Sequence, residues 1–214
     1  MRLTTLLTRH LPTTARFGAV GAVLATRLAA GPLLGDTTGP TAITPDTLAT
    51  GTAAVAQAAP STAQLSPLPV TAAQSHIQLS DEQVHNAQQI VKAAQKMHLP
   101  PRAAVIAVAT SMQETKLHNY GDLGQANDHD SLGLFQQRPS SGWGSEAQLQ
   151  DPTYAATAFY KSLVAVHGWK SMPLTDAAQA VQVSAFGDRY AQWEKQASDL
   201  VLSSYHQGPY ANSG

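Results

Sequence analysis

The chain has 214 residues, a formal net charge of −1 and 43% hydrophobic side chains, which suits one soluble globular domain with room for a tail. It has no cysteine, so disulfides, thiolate metal sites and cysteine nucleophiles are excluded. From residue 80 onward acidic side chains outnumber basic ones, no Lys/Arg cluster occurs and no nucleic-acid-binding motif appears, so nucleic acid is not an expected partner.

Residues 1–35 read as an export signal or anchor. Arg2, Arg9 and Arg16 form a basic leader, and Phe17 to Thr26 is a short, mostly apolar run. That run is about half of the ~20 residues a membrane-spanning helix needs, which suits a signal segment. The competing reading is an uncleaved anchor from Phe17 to Gly35, interrupted by Arg27 and Pro32. Either way, any membrane contact is expected only through this segment, and the remainder is expected outside the cell, secreted or attached to the wall. Residues 36–79 are rich in Thr, Ala, Pro and Ser, with no aromatic side chain and almost no charge. Such a stretch buries too little apolar surface to offset its ordering entropy and reads as a flexible linker.

A folded domain is expected over 80–207, followed by a tail at 208–214. Ser80 with Gln83 forms a capping box, and Asp81 and Glu82 complement the positive helix end. Val84, Ala87, Ile90, Val91, Ala94 and Met97 recur at helical spacing. Pro101 opens a second helix whose run Ala103–Ala109 is apolar on every side, as a helix wrapped by others would be. It ends near Glu114–Leu117. A polar loop follows to about Ser131, then Gly133-Leu134-Phe135-Gln136-Gln137 and a turn containing Trp143. Asp151-Pro152 starts a helix to about Val166; others are expected from Thr175 to Ser184 and from Asp188 to Ser204. No alternating pattern supports a strand, so the expectation is an all-α domain of about five helices.

Glu114 is the first candidate for chemistry. The apolar helix before it and the negative helix end both oppose ionisation, which suits a general acid. A solvated carboxylate pairing with Lys116 is the plain alternative. Gly133 permits close backbone approach to a ligand, and Gln136 or Gln137 can hydrogen-bond an acetamido group. Leu134 and Phe135 suit core as well as site. Asp122, Asp128 and Asp130 are candidates for a second carboxylate, or simply turn residues. Trp143, flanked by glycines, is the best-placed indole for stacking on a sugar; Trp193 suits core. His118 and His129 among these aspartates fit neither an HExxH nor an EF-hand spacing, so no metal or other cofactor is expected.

Glu114-Thr115 followed nineteen residues later by Gly133-Leu134-Phe135-Gln136 resembles the paired signature of lysozyme-like lytic transglycosylases, and the resemblance is closest to the actinobacterial type. That family reads Glu-Ser and then Gly-Leu-Met-Gln; Thr and Phe replace Ser and Met here. The resemblance spans roughly residues 80–205. It implies a lysozyme-like helical fold, a monomer acting on peptidoglycan glycan strands, and cleavage of the β-1,4 bond between N-acetylmuramic acid and N-acetylglucosamine. It also implies that Glu114 protonates the leaving oxygen and then, as a base, deprotonates the muramyl 6-hydroxyl, closing an anhydro ring. A hydrolytic muramidase using a loop aspartate, or a wall-binding module without turnover, are the alternatives. The family's Ala-Tyr-Asn-Ala-Gly segment corresponds to Val183-Ser184-Ala185-Phe186-Gly187, where Phe186 lacks the hydroxyl that orients the glutamate. Tyr190 or Tyr154 is left to supply it.

Overall fold

The computed structural model describes residues 59–206 except 125–126, 128 and 183–186, with backbone only at 187 and 188. The expected export segment, most of the expected linker, Asp128, Phe186 and the 208–214 tail lie outside the described residues. Seven α-helices are described: α1 (Thr62–Leu65), α2 (Asp81–Lys96), α3 (Pro101–Thr115), α4 (Glu146–Leu149), α5 (Pro152–Ala165), α6 (Leu174–Gln182) and α7 (Glu194–His206). No strand is present among the described residues, and the fold is all-α. None of these helices is long and apolar enough to cross a membrane.

Helix α3 is the axis. Pro101 occupies its first turn, where a missing N–H is harmless. Every residue from Arg102 to Met112 is buried, and the other long helices α2, α5, α6 and α7 all pack against it. An all-round apolar helix is stable only when wrapped in this way. Helix α2 begins at the capping box read from its sequence, with the Gln83 amide bonded to the Ser80 hydroxyl and the Ser80 amide to the Gln83 side chain at 2.7 Å. Its buried face contains Ala87, Ile90, Val91 and Ala94 as expected, but also Gln83 and Asn86. Helix α5 opens on Asp151, whose carboxylate accepts from the Thr153 and Tyr154 amides. From α5, Phe159 and Tyr160 enter the core, and the Tyr160 hydroxyl reaches the Ile90 carbonyl at 3.0 Å.

Three boundaries differ from expectation. Residues 187–193 form a 3-10 helix before α7, so the last α-helix starts at Glu194. Helices α1 and α4 were not read, although Ser61-x-x-Gln64 and Ser145-x-x-Gln148 are both capping boxes. The third difference is larger: residues 60–79 pack on the helical body instead of extending as linker. Leu65 is buried in the core. Arg102, itself buried and ion-paired with Glu194, donates to the Leu65 carbonyl at 3.2 Å. Farther on, Ser75 N–H donates to the Gln192 carbonyl, and Gln196 bonds both the amide and the carbonyl of Ile77. Leu65 in the core, Ile77 and Leu79 packed against it and a series of hydrogen bonds outweigh the segment's polar, proline-rich composition.

A chain shortened to begin at Ser80 loses at least the Leu65 burial, about 2 kcal/mol, and the buried bond to Arg102, about 1 kcal/mol. With roughly 3 °C per kcal/mol for a domain of this size, its Tm is expected about 10 °C below that of a chain beginning at residue 59. Calorimetry finding the two within about 2 °C of each other would show that the segment contributes nothing.

Candidate active site around Glu114

Helix α3 ends inside the protein, where its last carbonyls need partners. Lys116 and Leu117 take left-handed backbone conformations (φ +55° and +68°) and turn the chain away. The Lys116 carbonyl accepts from Gln83 at 2.7 Å, and the Leu117 carbonyl accepts from Asn86 at 2.9 Å. These two bonds explain why polar side chains occupy the buried face of α2. The Lys116 ammonium folds back onto the Met112 carbonyl at 3.0 Å and lies 4.6 Å from the Trp193 ring centroid. Burial pushes its pKa below the usual lysine range, while the nearby Glu114 carboxylate opposes that shift.

Glu114 sits half-buried on the last turn of α3. The fully buried Tyr190, in the 3-10 helix, donates its hydroxyl to Glu114 Oε1 at 2.7 Å. Gln182, at the end of α6, directs its amide at the same oxygen from 3.4 Å and donates to the Phe135 carbonyl at 2.8 Å. Oε2 makes no hydrogen bond among the described residues. Tyr154, the other tyrosine considered, instead directs its hydroxyl to the Trp143 carbonyl at 3.4 Å. The 3-10 helix is held against α3 through Gln113, whose Oε1 accepts from Gln192 at 3.0 Å and from the Trp193 indole at 2.9 Å. Trp193 is buried, as its helical face suggested.

The 133–137 turn is fastened to the same helix end. Thr115 donates to the Leu134 carbonyl at 3.1 Å, and Leu132 and Gln137 exchange backbone bonds at 2.9 and 3.0 Å. Three residues expected to touch a ligand are part of this fastening. Phe135 is fully buried and stacks on Phe159 with centroids 5.0 Å apart. Gln137 is buried and donates to the Ala155 carbonyl of α5. Gly133, at φ +70°, permits close approach to protein instead of sugar: an added Cβ would lie 2.2 Å from the Leu149 carbonyl oxygen. Only Gln136 of the group keeps a partly exposed side chain, with φ +50° and its amide on the Gly133 carbonyl at 3.3 Å.

The two described loop aspartates, Asp122 and Asp130, serve the loop. Asp122 accepts from the Gly124 amide and the Asn127 side chain. Asp130 accepts from Arg138 at 2.8 Å and from the Ser140 amide and hydroxyl at 2.7 and 2.9 Å. The Arg138 guanidinium beside it, with the Ser140 amide, holds its carboxyl well below the usual carboxylate range. A carboxylate held in this way is a poor proton acceptor. Among the described residues no three His, Asp or Glu side chains are grouped to hold a metal ion. Trp143 is half-buried beside Tyr154, in a cleft whose lining does not include Glu114.

Two predictions follow from this geometry. Asn86→Ala leaves the buried Leu117 carbonyl without its partner, so urea unfolding is expected to show a loss of about 1–3 kcal/mol; an unchanged midpoint would mean the helix end is held otherwise. A carboxylate with a depressed folded-state pKa stabilises above its unfolded value and loses that contribution as pH falls through the folded one. The NMR shift of the Ser140 amide is therefore expected to stay constant down through about pH 4 and to move only below it. Movement centred near or above pH 4 would show that the Arg138 brace is absent. No protein-family model matches the chain, and no curated protein matches it.

Proposed function

We propose that this protein is an exported, monomeric lytic transglycosylase with a lysozyme-like domain, cutting the β-1,4 bond between N-acetylmuramic acid and N-acetylglucosamine in peptidoglycan. The observation that carries this reading is the Tyr190 hydroxyl 2.7 Å from Oε1 of a half-buried glutamate at the end of a buried helix. In the family that the sequence resembles, a tyrosine orients the catalytic glutamate. Tyr190 gives Glu114 such a partner from another position than Phe186. The fastening of the 133–137 turn to Thr115 supports the same reading.

With Oε1 engaged by Tyr190 and Gln182, Oε2 is the oxygen left to face substrate. A protonated Glu114 gives its proton to the glycosidic oxygen as the C1–O bond breaks and positive charge develops on the muramyl ring. The resulting carboxylate removes the proton from the muramyl 6-hydroxyl, whose oxygen closes onto C1. Glu114 is thereby reprotonated, and no water is consumed. One carboxylate is enough for this sequence, which accords with Asp122 and Asp130 being engaged within their loop. The basic and apolar leader at 1–35 supports action outside the cytoplasm.

Peptidoglycan incubated with the protein is expected to yield anhydro-muropeptides, each lighter by one water than hydrolysed ones in mass spectra. Glu114→Gln is expected to abolish them, and Tyr190→Phe, which keeps the ring, to slow release by roughly 10- to 100-fold. Hydrated products would replace the transglycosylase by a muramidase. No product from a folded protein that still co-sediments with the wall would leave a binding module.

A further inference from the structure

Trp143 lies outside the Glu114 site, yet its loop is built with care. Gly142 (φ +81°) ends the 3-10 turn Pro139–Ser141. At Gly144 (φ +150°) a side chain would meet the Tyr154 ring at 2.8 Å. The glycine thus lets the loop lie flat on Tyr154, whose hydroxyl takes the Trp143 carbonyl. On its other side the loop is tied by Asp130 to Arg138 and Ser140.

This loop and the outer face of α5 enclose an open cleft of about 510 Å³, lined by Trp143, Tyr154, Thr157, Lys161, Ser162 and Asp151 among others. Glu114 is not among its lining residues. Its size falls within the roughly 300–1,000 Å³ of small-molecule sites. Tyr154, Thr157 and Lys161 follow one another at helical spacing along one face of α5. Two partly exposed aromatic side chains beside hydroxyl groups suit a pyranose, with one apolar face and a hydroxyl rim. The charge is unbalanced. Asp151 is turned onto the α5 amides at 2.8 and 3.3 Å, whereas Lys161 is exposed and has no ion-pair partner among the described residues.

We infer that this cleft is a second saccharide site that takes a carboxylate-bearing amino sugar, stacked on Trp143 with its carboxylate on Lys161. The identity of the sugar rests on the proposed function. The carboxylate has two possible sources on a muramyl residue: its own lactyl acid or an attached peptide.

The test is calorimetric titration of the full chain with N-acetylmuramic acid, muramyl dipeptide and chitotetraose, which has no carboxylate. At least one muramyl probe is expected to bind, about tenfold more weakly in Trp143→Ala and about threefold more weakly in Lys161→Gln. The better of the two muramyl probes identifies the carboxylate source. Chitotetraose is expected to be indifferent to Lys161→Gln. Since Lys161 is exposed, that variant reports even if Trp143→Ala does not fold. Equal binding of every probe by wild type, Trp143→Ala and Lys161→Gln overturns the site, as does binding of none. Loss with Trp143→Ala in a protein that cuts no peptidoglycan would retire the proposed function and leave this site standing.

Discussion

The constraint on which the structure depends is that an apolar helix has to end in the interior. Helix α3 is buried from Arg102 to Met112 and again at Thr115, so its last carbonyls have little water to bond and each unmatched buried one costs about 1–3 kcal/mol. The Lys116 ammonium bonds the Met112 carbonyl, and Gln83 and Asn86 from α2 bond the Lys116 and Leu117 carbonyls just past the helix end. The same Gln83 side chain also closes the capping box of α2. The start of one helix and the end of another are therefore joined through a single carboxamide. Glu114 stands on the turn that this arrangement immobilises, and its backbone position is fixed before any ligand arrives.

Immobilising the backbone does not aim the side chain. That is done by the 3-10 helix, which carries Tyr190 to Oε1, and by Gln182, which bonds both Oε1 and the Phe135 carbonyl. Gln113 holds the 3-10 helix in place through Gln192 and Trp193. A Tyr O–H on a carboxylate is among the stronger hydrogen bonds. Its contact with one oxygen leaves the other available, which any proton-transferring glutamate requires. Rigid support of this kind suits a group that must give and regain a proton in one orientation.

Much of this was legible in the sequence. The capping box at Ser80, Pro101, the apolar run Ala103–Ala109 and the Asp151-Pro152 pair gave α2, α3 and α5 within a residue or so, because each is a local signal. The pairing of Glu114-Thr115 with 133–137 was legible as a motif, but the work of its members was not. Phe135, Gln137 and Gly133 belong to the packing between the turn, α4 and α5, and only the three-dimensional arrangement reveals Leu149 behind Gly133. Two tyrosines were open as partners of Glu114, and sequence alone had no way of choosing between positions 40 and 76 residues away. Residues 60–79 misled by composition: Leu65 enters the core and Ile77 and Leu79 pack against it despite a Pro-, Ser- and Thr-rich stretch, and the carbonyl taken by Arg102 leaves no trace in a composition.

Helix α5 joins the two regions by using both of its faces. Inward, Phe159 stacks on Phe135, whose carbonyl holds Gln182 beside Glu114. Outward, Tyr154, Thr157 and Lys161 line the Trp143 cleft. Asp130 strengthens the link, because it stands at the entry to the 132–137 turn and ties down the loop that leads to Trp143. The series runs through a buried stack, side-chain bonds to backbone and to Glu114, and a partly exposed ion pair. The cleft and the glutamate are thus linked through the two faces of α5.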